Sequence, residues 1–485
     1  MSNSNDKAIK SGLWYVIGNF LTKGIGFITT PIFTRLMTKA DVGDFSNFTS
    51  WISILSAILT LDLFTSVTLA KYDFENNLDD YITSNLLLGS FVTGIFYCFS
   101  FFFKDGLLSI LGINELEYHV MFLYLLVYPA TQMIIIKSRM YYKYKLCVFL
   151  SLLSAISSTL ISLLLVIFVS EQLTGRIIGN YIPLILINLF IYAYYLVKHH
   201  KIEKKYWLYA LKISTPLIIH TLSGSLLGGS DRVMINYFCG KEATAYYSIA
   251  YTCGLVVTLL WSSLNSAWSP WAYDMMKENN SSSIRKASKP FIIFFGIVVL
   301  GMLLFGPELL LLMGGESYAQ AISVIPPLML AYVFQFVYSL YVNIETFYKK
   351  QWLIALGTFV AAVINVILNY VFIPIYGYPA AAYTTLIGYV ALFLIHYIFV
   401  KLMKKNHYYS NKFIIIFLVI FSVLSLCVSF TYALPLVRYI IIGAIMCVFF
   451  VFSIVFRKEL INLIRKKSLD GFRKRFGSKN NIKLQ

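Results

Sequence analysis

Several ionisable residues stand inside long apolar runs of this sequence: Lys23, Arg35, Asp62, Asp231, Arg232 and Glu345, with His220 and His396 as weaker cases. At bilayer depth such a group costs at least about 2.5–3.5 kcal/mol on insertion scales, so each one needs a partner or a function. The cations Lys23, Arg35 and Arg232 could meet an anionic ligand. An arginine offers a planar, permanently charged fork suited to phosphate, and it suits a structural carboxylate equally well. Lys23 lies beside Gly24 and Gly26 in mid-run, so it either faces a polar cavity or pairs with Asp62 or Asp231. Arg35, near the end of its run, could simply reach the interface.

The carboxylates Asp62, Asp231 and Glu345 are candidates for binding a coupling ion, H+ or Na+, or for pairing helices. Asp231 and Arg232 are adjacent, hence about 100° apart on a helix, and each calls for a partner elsewhere. His220 reads as a packing residue or a proton relay. Trp261 and Asn265, and the pair Asn365 and Asn369 four residues apart, could line a cavity that takes a sugar. They could equally hold helices together, and Trp or Tyr at helix ends is the ordinary interfacial belt. No catalytic or metal-ligand spacing is present. The cysteines, Cys98, Cys147, Cys239, Cys253, Cys427 and Cys447, form no C-x-x-C and read as small apolar core residues.

The elements that must carry these groups follow from composition. The 485 residues are 59% hydrophobic, 17% aromatic and only 13% charged, with a mean hydropathy of +0.73. So few charges cannot cover a water-soluble surface. The apolar residues come in runs of about 20, the length of a membrane-crossing helix, and no alternating barrel pattern occurs. The net charge of +18 lies in short connections, which excludes nucleic acid as the partner. The N-terminal run has no small-residue cleavage site and is expected to be a retained helix.

About fourteen spans are expected, from Leu13–Phe33 to Leu436–Phe456. Threaded alternately, they put about 32 of the 40 Lys and Arg in one set of loops and the termini, and about five in the other. Both termini are therefore expected to be cytoplasmic. Lys39, Lys104, Arg176, Lys241 and Arg438 fall in the sparse set. The loops are short, which speaks against an extramembrane catalytic module. The tail from Arg457 is basic and amphipathic, fit to lie on an anionic leaflet.

The first six spans echo the second six. TKADVGDFSNF matches CGKEATAYYSIAY, with Lys39, Phe45 and Ser46 opposite Lys241, Tyr247 and Ser248. Tyr142-Lys143 likewise stands opposite Tyr348-Lys349. The expected organisation is an all-α membrane protein with a six-helix lobe over 1–200 and a second over 201–405. Two added spans cover 406–456, and a basic tail covers 457–485. An even repeat makes the halves parallel, as in transporters that rock about a central site.

Three stretches carry a resemblance to a known family. They are Gly26, Pro31, Arg35, Leu36 and Gly43; Ser214, Pro216, Ser230 to Ile235 and Tyr247 to Tyr251; and Asn365 to Ala382. Together they resemble the Wzx-type polysaccharide flippases of the multidrug/oligosaccharidyl-lipid/polysaccharide exporter superfamily. The resemblance implies two six-helix lobes around a cavity. It also implies an undecaprenyl-pyrophosphate-linked glycan moved from the cytoplasmic to the outer leaflet of the inner membrane for O-antigen or capsule. Membrane lipids, and polymerase or assembly proteins, would be its partners. Strong cationic lining is sparse here, a departure from that pattern. A small-molecule/cation antiporter of the same superfamily is the alternative, and a glycan polymerase a more distant one.

Overall fold

The computed structural model describes residues 2–455, so the basic tail expected over 457–485 lies outside the described residues. Among those described, the chain is α-helical with short 3-10 turns and no strand. The helices are α1 (Ser2–Leu36), α2 (Lys39–Leu59), α3 (Val67–Asp73), α4 (Leu78–Phe101), α5 (Lys104–Leu111), α6 (Glu115–Val127) and α7 (Pro129–Met140). Next come α8 (Tyr144–Phe168), α9 (Gln172–Lys198), α10 (Lys204–Cys239), α11 (Lys241–Cys253), α12 (Leu255–Lys277), α13 (Ser281–Leu304) and α14 (Gly306–Gly314). The last are α15 (Ile325–Phe347), α16 (Gln351–Tyr376), α17 (Pro379–Leu402), α18 (Asn411–Thr431) and α19 (Pro435–Val455). The chain divides into two compact units, Met1–Ser425 and Leu426–Gln485, and the groups discussed below lie in the first.

Ten described helical stretches are long and apolar enough to cross a membrane, or eleven when α2 and α3, bent by 55°, count as one. The other expected spans correspond to α1, α10 and α19. In α1 and α10, which run for 35 and 36 residues, polar residues dilute the apolar signal. The polar stretch Ala272–Lys289 is mostly helical, forming the end of α12 and the start of α13.

Three of the spans are broken, each for a local reason. At the end of α2, the Thr60 hydroxyl donates back to Ser56 O at 2.7 Å. Leu61 and Asp62 then take left-handed φ values of 51° and 47°. Pro129 separates α6 from α7, since it has no N–H to continue the ladder. At Gly254, between α11 and α12, a Cβ would lie 2.2 Å from the Tyr332 ring.

Helices approach most closely where glycine removes the side chain. A Cβ on Gly179 of α9 would fall 2.3 Å from Ser162 Cα of α8, and one on Gly43 of α2 would fall 1.8 Å from Lys241 O of α11. Membrane helices gain their association from such backbone proximity and packing. The starts of α2 and α11 cross reciprocally. Lys39 Nζ donates to Tyr246 Oη at 2.9 Å, and Lys241 Nζ donates to Asp44 Oδ2 at 2.6 Å. The same sequence interval separates Lys39 from Lys241 and Asp44 from Tyr246, so repeat-equivalent positions meet each other.

The second repeat match is one residue out of register. The left-handed turn residues are Tyr142 (φ 55°) and Lys349 (φ 57°). Each is followed by an N–H that returns five residues, Lys143 to Ser138 O at 2.8 Å and Lys350 to Glu345 O at 2.9 Å. The cysteine reading also needs correction. Cys147 and Cys253 are buried, but Cys98, Cys427 and Cys447 are exposed. Many tyrosines are core rather than belt: Tyr81, Tyr118, Tyr206, Tyr247, Tyr318, Tyr341 and Tyr408 are among the largest fully buried side chains.

Gly179→Ala should lower stability by about 1–3 kcal/mol through overpacking. Gly224→Ala, whose Cβ would meet nothing within 4 Å, should leave thermal unfolding in detergent unchanged.

Candidate functional site

Where α1, α2, α9, α10 and α11 converge they enclose a polar cavity of about 240 Å³. Its wall includes Thr30 and Thr34, Ser46 and Thr49, Ser248 and Thr252, and two arginines, Arg176 and Arg232. Arg176 comes from the first turns of α9, and its guanidinium lies between two rings, 3.6 Å from the Phe33 centroid and 4.2 Å from that of Phe45. Its Nη1 is 3.5 Å from Met37 Sδ, and its buried Nε has no hydrogen-bond partner. The Arg232 guanidinium lies 4.2 Å from the Tyr251 ring centroid, with Nη1 3.5 Å from Ser50 Oγ. Among the described residues, no carboxylate is within ion-pair distance of either arginine. Aromatic faces hold such cations without neutralising them, so two full positive charges front the cavity.

Lys23 is exposed and, among the described residues, forms no ion pair with Asp62, Asp231 or any other carboxylate. Thr30 and Thr34 follow it by two and three helical turns, so Lys23 stands on the face of α1 that walls the cavity. Asn19 and Gly26, near that face, are exposed too, as are Ser262, Ser263 and Ser266 of α12. A stripe of hydroxyls, an amide and an ammonium on membrane-crossing helices belongs against water or polar ligand, not hydrocarbon. Arg35 is also exposed but is turned to other work. It donates from Nη1 to Pro31 O at 2.7 Å and from Nη2 to Leu312 O at 3.1 Å, which ties α1 to the end of α14.

The carboxylates do not join these cations. Each is sealed in a different place. Asp62 is fully buried at the α2 break, its Oδ2 accepting from Thr221 Oγ1 at 2.9 Å. Asp231 is 1% exposed and accepts from Asn369 Nδ2 at 2.7 Å, Tyr247 Oη at 2.5 Å and Thr385 Oγ1 at 2.6 Å. Asn369 in turn donates to Asn365 Oδ1 at 3.2 Å and accepts from Thr384. Short donors from three helices thus hold one carboxylate without a direct ion pair. Glu345 and His396 are both fully buried and meet through Nδ1, 2.9 Å from Oε2.

His220 is half-buried, and its Nδ1 has no partner. Trp261 Nε1 donates to Ser339 Oγ at 3.0 Å. Asn265 Oδ1 accepts from Asn343 Nδ2 at 2.9 Å, so both help bind α12 to α15. Arg176 was absent from the sequence-derived candidates because it sits near a helix start and reads as a loop cation. The available signal was its position in the set of connections that is otherwise poor in Lys and Arg. Among the described residues, no three His, Cys, Asp or Glu side chains are grouped to hold a metal ion.

The described helices and their seams define a multi-pass helical membrane protein. A structure of the lipid II flippase MurJ in an inward closed conformation aligns with a TM-score of 0.68 at 16% identity, over 92% of this chain and 99% of that one. A MOP-superfamily transporter from Pyrococcus furiosus aligns at 0.57 and 13% identity, over 82% and 95%. An inward-facing MATE-family multidrug transporter aligns at 0.56 and 15%, over 82% and 96%. An uncharacterized membrane protein of Methanocaldococcus jannaschii is 21% identical over 96% of this chain and 98% of its own length. The model of the family described as "Polysaccharide biosynthesis protein" matches residues 8–276, more than half of the chain. The chain belongs to that family.

The sealed Glu345–His396 pair gives a stability test. Glu345→Ala leaves a buried imidazole alone and should cost about 3–5 kcal/mol, with Glu345→Gln costing less. Denaturant unfolding of the purified protein reads the difference.

Proposed function

We propose that this protein is a flippase. It would move an undecaprenyl-pyrophosphate-linked oligosaccharide from the cytoplasmic to the outer leaflet of the inner membrane, supplying O-antigen, capsule or a similar surface polymer. The observation that carries the reading is the cavity fronted by Arg176 and Arg232, two guanidinium groups with no carboxylate partner. Planar forks of this kind match the oxygens of a pyrophosphate. Lys23, on the same face of α1, extends the positive path toward the Lys/Arg-rich end, which the charge bias assigns to the cytoplasm. The exposed serines of α12 offer hydrogen bonds to a glycan, and the polyprenyl tail stays in lipid.

Two six-helix lobes, 1–200 and 201–405, would rock about this cavity to give alternating access. The contact of Gly43 with Lys241, and the reciprocal Lys39 and Lys241 bonds, would close the Lys/Arg-poor end in this conformation. No bond in the substrate is made or broken, so catalytic groups are not required. The step is binding, exclusion from one face and release to the other. A coupling cation, H+ or Na+, would act through a buried carboxylate, with Asp231 the best supplied with ligands. Polymerase or assembly proteins would take the product.

Arg176→Ala and Arg232→Ala should each cut surface polysaccharide by about tenfold or more, the effect of losing a charged hydrogen bond of about 1.5–3 kcal/mol. Lys23→Ala should do the same, while Arg35→Ala should stay near wild type at equal membrane abundance. Quantifying surface polymer and cytoplasmic-leaflet lipid-linked glycan checks this. Full export by the two arginine variants would remove the cavity from the mechanism, and drug efflux with no polysaccharide phenotype would favour the antiporter.

A further inference from the structure

At the Lys/Arg-poor end, the α5–α6 corner turns at Gly112, whose φ is +60°. Three helices bring oxygen-bearing side chains to this corner. Asp44 and Asn47 stand one turn apart on α2, Glu117 lies in the first turn of α6, and Asn236 is near the end of α10. Asp44, Glu117, Asn236 and Lys241 line a cavity of about 530 Å³ here. Asp44, Asn47 and Glu117 are 6%, 0% and 2% exposed.

Three local donors are already committed. Lys241 Nζ is on Asp44 Oδ2 at 2.6 Å, and the Asn114 N–H is on Glu117 Oε2 at 2.7 Å. The Asn47 amide donates to Leu111 O at 2.8 Å and to Gly112 O at 3.2 Å. Four buried oxygens then have no hydrogen-bond partner: Asp44 Oδ1, Asn47 Oδ1, Glu117 Oε1 and Asn236 Oδ1. Buried acceptors without donors, two of them on carboxylates, are unfavourable unless water or a cation meets them.

We infer that this corner is a binding site for a hard divalent cation of the calcium class. The donor set is oxygen only, which selects alkaline-earth ions over zinc or copper. Ligands from three helices suit the irregular six- to eight-fold shell of calcium better than the strict octahedron of magnesium. Charge balance agrees. Two carboxylates and one ammonium leave the cluster at −1, whereas a divalent ion on both carboxylates neutralises it once the lysine leaves. The Lys241 side chain is 55% exposed, so its ammonium can swing into solvent. Asp44, Asn47 and Glu117 belong to the proposed lobe 1–200 and Asn236 to the proposed lobe 201–405, so the bound ion would tie the two together beside the Gly43 contact.

The test uses the purified full chain in detergent, with radioactive calcium equilibrium binding and thermal unfolding with and without CaCl2. One saturable site per chain and a raised unfolding temperature are expected. Glu117→Gln should weaken binding by about tenfold or more. Asn236→Ala, which removes a neutral ligand and no ion pair, should weaken it by less, and Lys241→Gln should tighten it. Should Glu117→Gln fail to fold, Asn236→Ala and Lys241→Gln still decide the matter. No saturable calcium binding by the wild type would overturn the inference. So would binding unchanged in Asn236→Ala, binding weakened by Lys241→Gln, or stabilisation by NaCl in place of CaCl2.

Discussion

A charge cannot be left in hydrocarbon, and the ways this chain meets that constraint organise its structure. Asp231 is surrounded by neutral donors, Glu345 is set against an imidazole, and Asp62 is placed at a helix break beside Thr221. Arg176 and Arg232 receive aromatic faces instead of acids. That difference separates the buried acids from the two arginines. The carboxylates are locked into seams between helices, whereas the arginines keep their charge available to a polar cavity.

The seams themselves depend on small residues. Gly179 against Ser162 and Gly43 against Lys241 bring backbones closer than any side chain would allow. The second of these joins α2 to α11, flanked by the Lys39–Tyr246 and Lys241–Asp44 bonds. Contact across this seam is not confined to one end: α10 runs along α2, reaching Asp62 through Thr221 and Ser84 through Trp207.

Much of the fold was legible in the sequence, because a run of about 20 apolar residues has one solution in a membrane. The breaks were harder to see. Leu61 and Asp62 carry no glycine or proline to announce a left-handed turn, although Pro129 does announce the end of α6. Charges in apolar runs marked Lys23, Asp231, Arg232 and Glu345 as needing explanation, but not which of them meet. That depends on which faces of distant helices touch. Arg176 shows the limit clearly. Its neighbours Phe33 and Phe45 lie more than a hundred residues away, so a cation held between rings looked like an ordinary loop residue.

Transport of an anionic lipid headgroup through the Arg176–Arg232 cavity requires that the cavity be wet and reachable from the membrane. Thiol labelling measures that directly. In a chain with its six native cysteines replaced, Thr30→Cys or Ser248→Cys would be treated with a membrane-impermeant maleimide in right-side-out and inverted vesicles. Labelling from one face, slowed by a prenyl-pyrophosphate-linked glycan, is the predicted result. Cysteines that stay unlabelled from both faces, or whose labelling the lipid-linked glycan leaves unchanged, would contradict it.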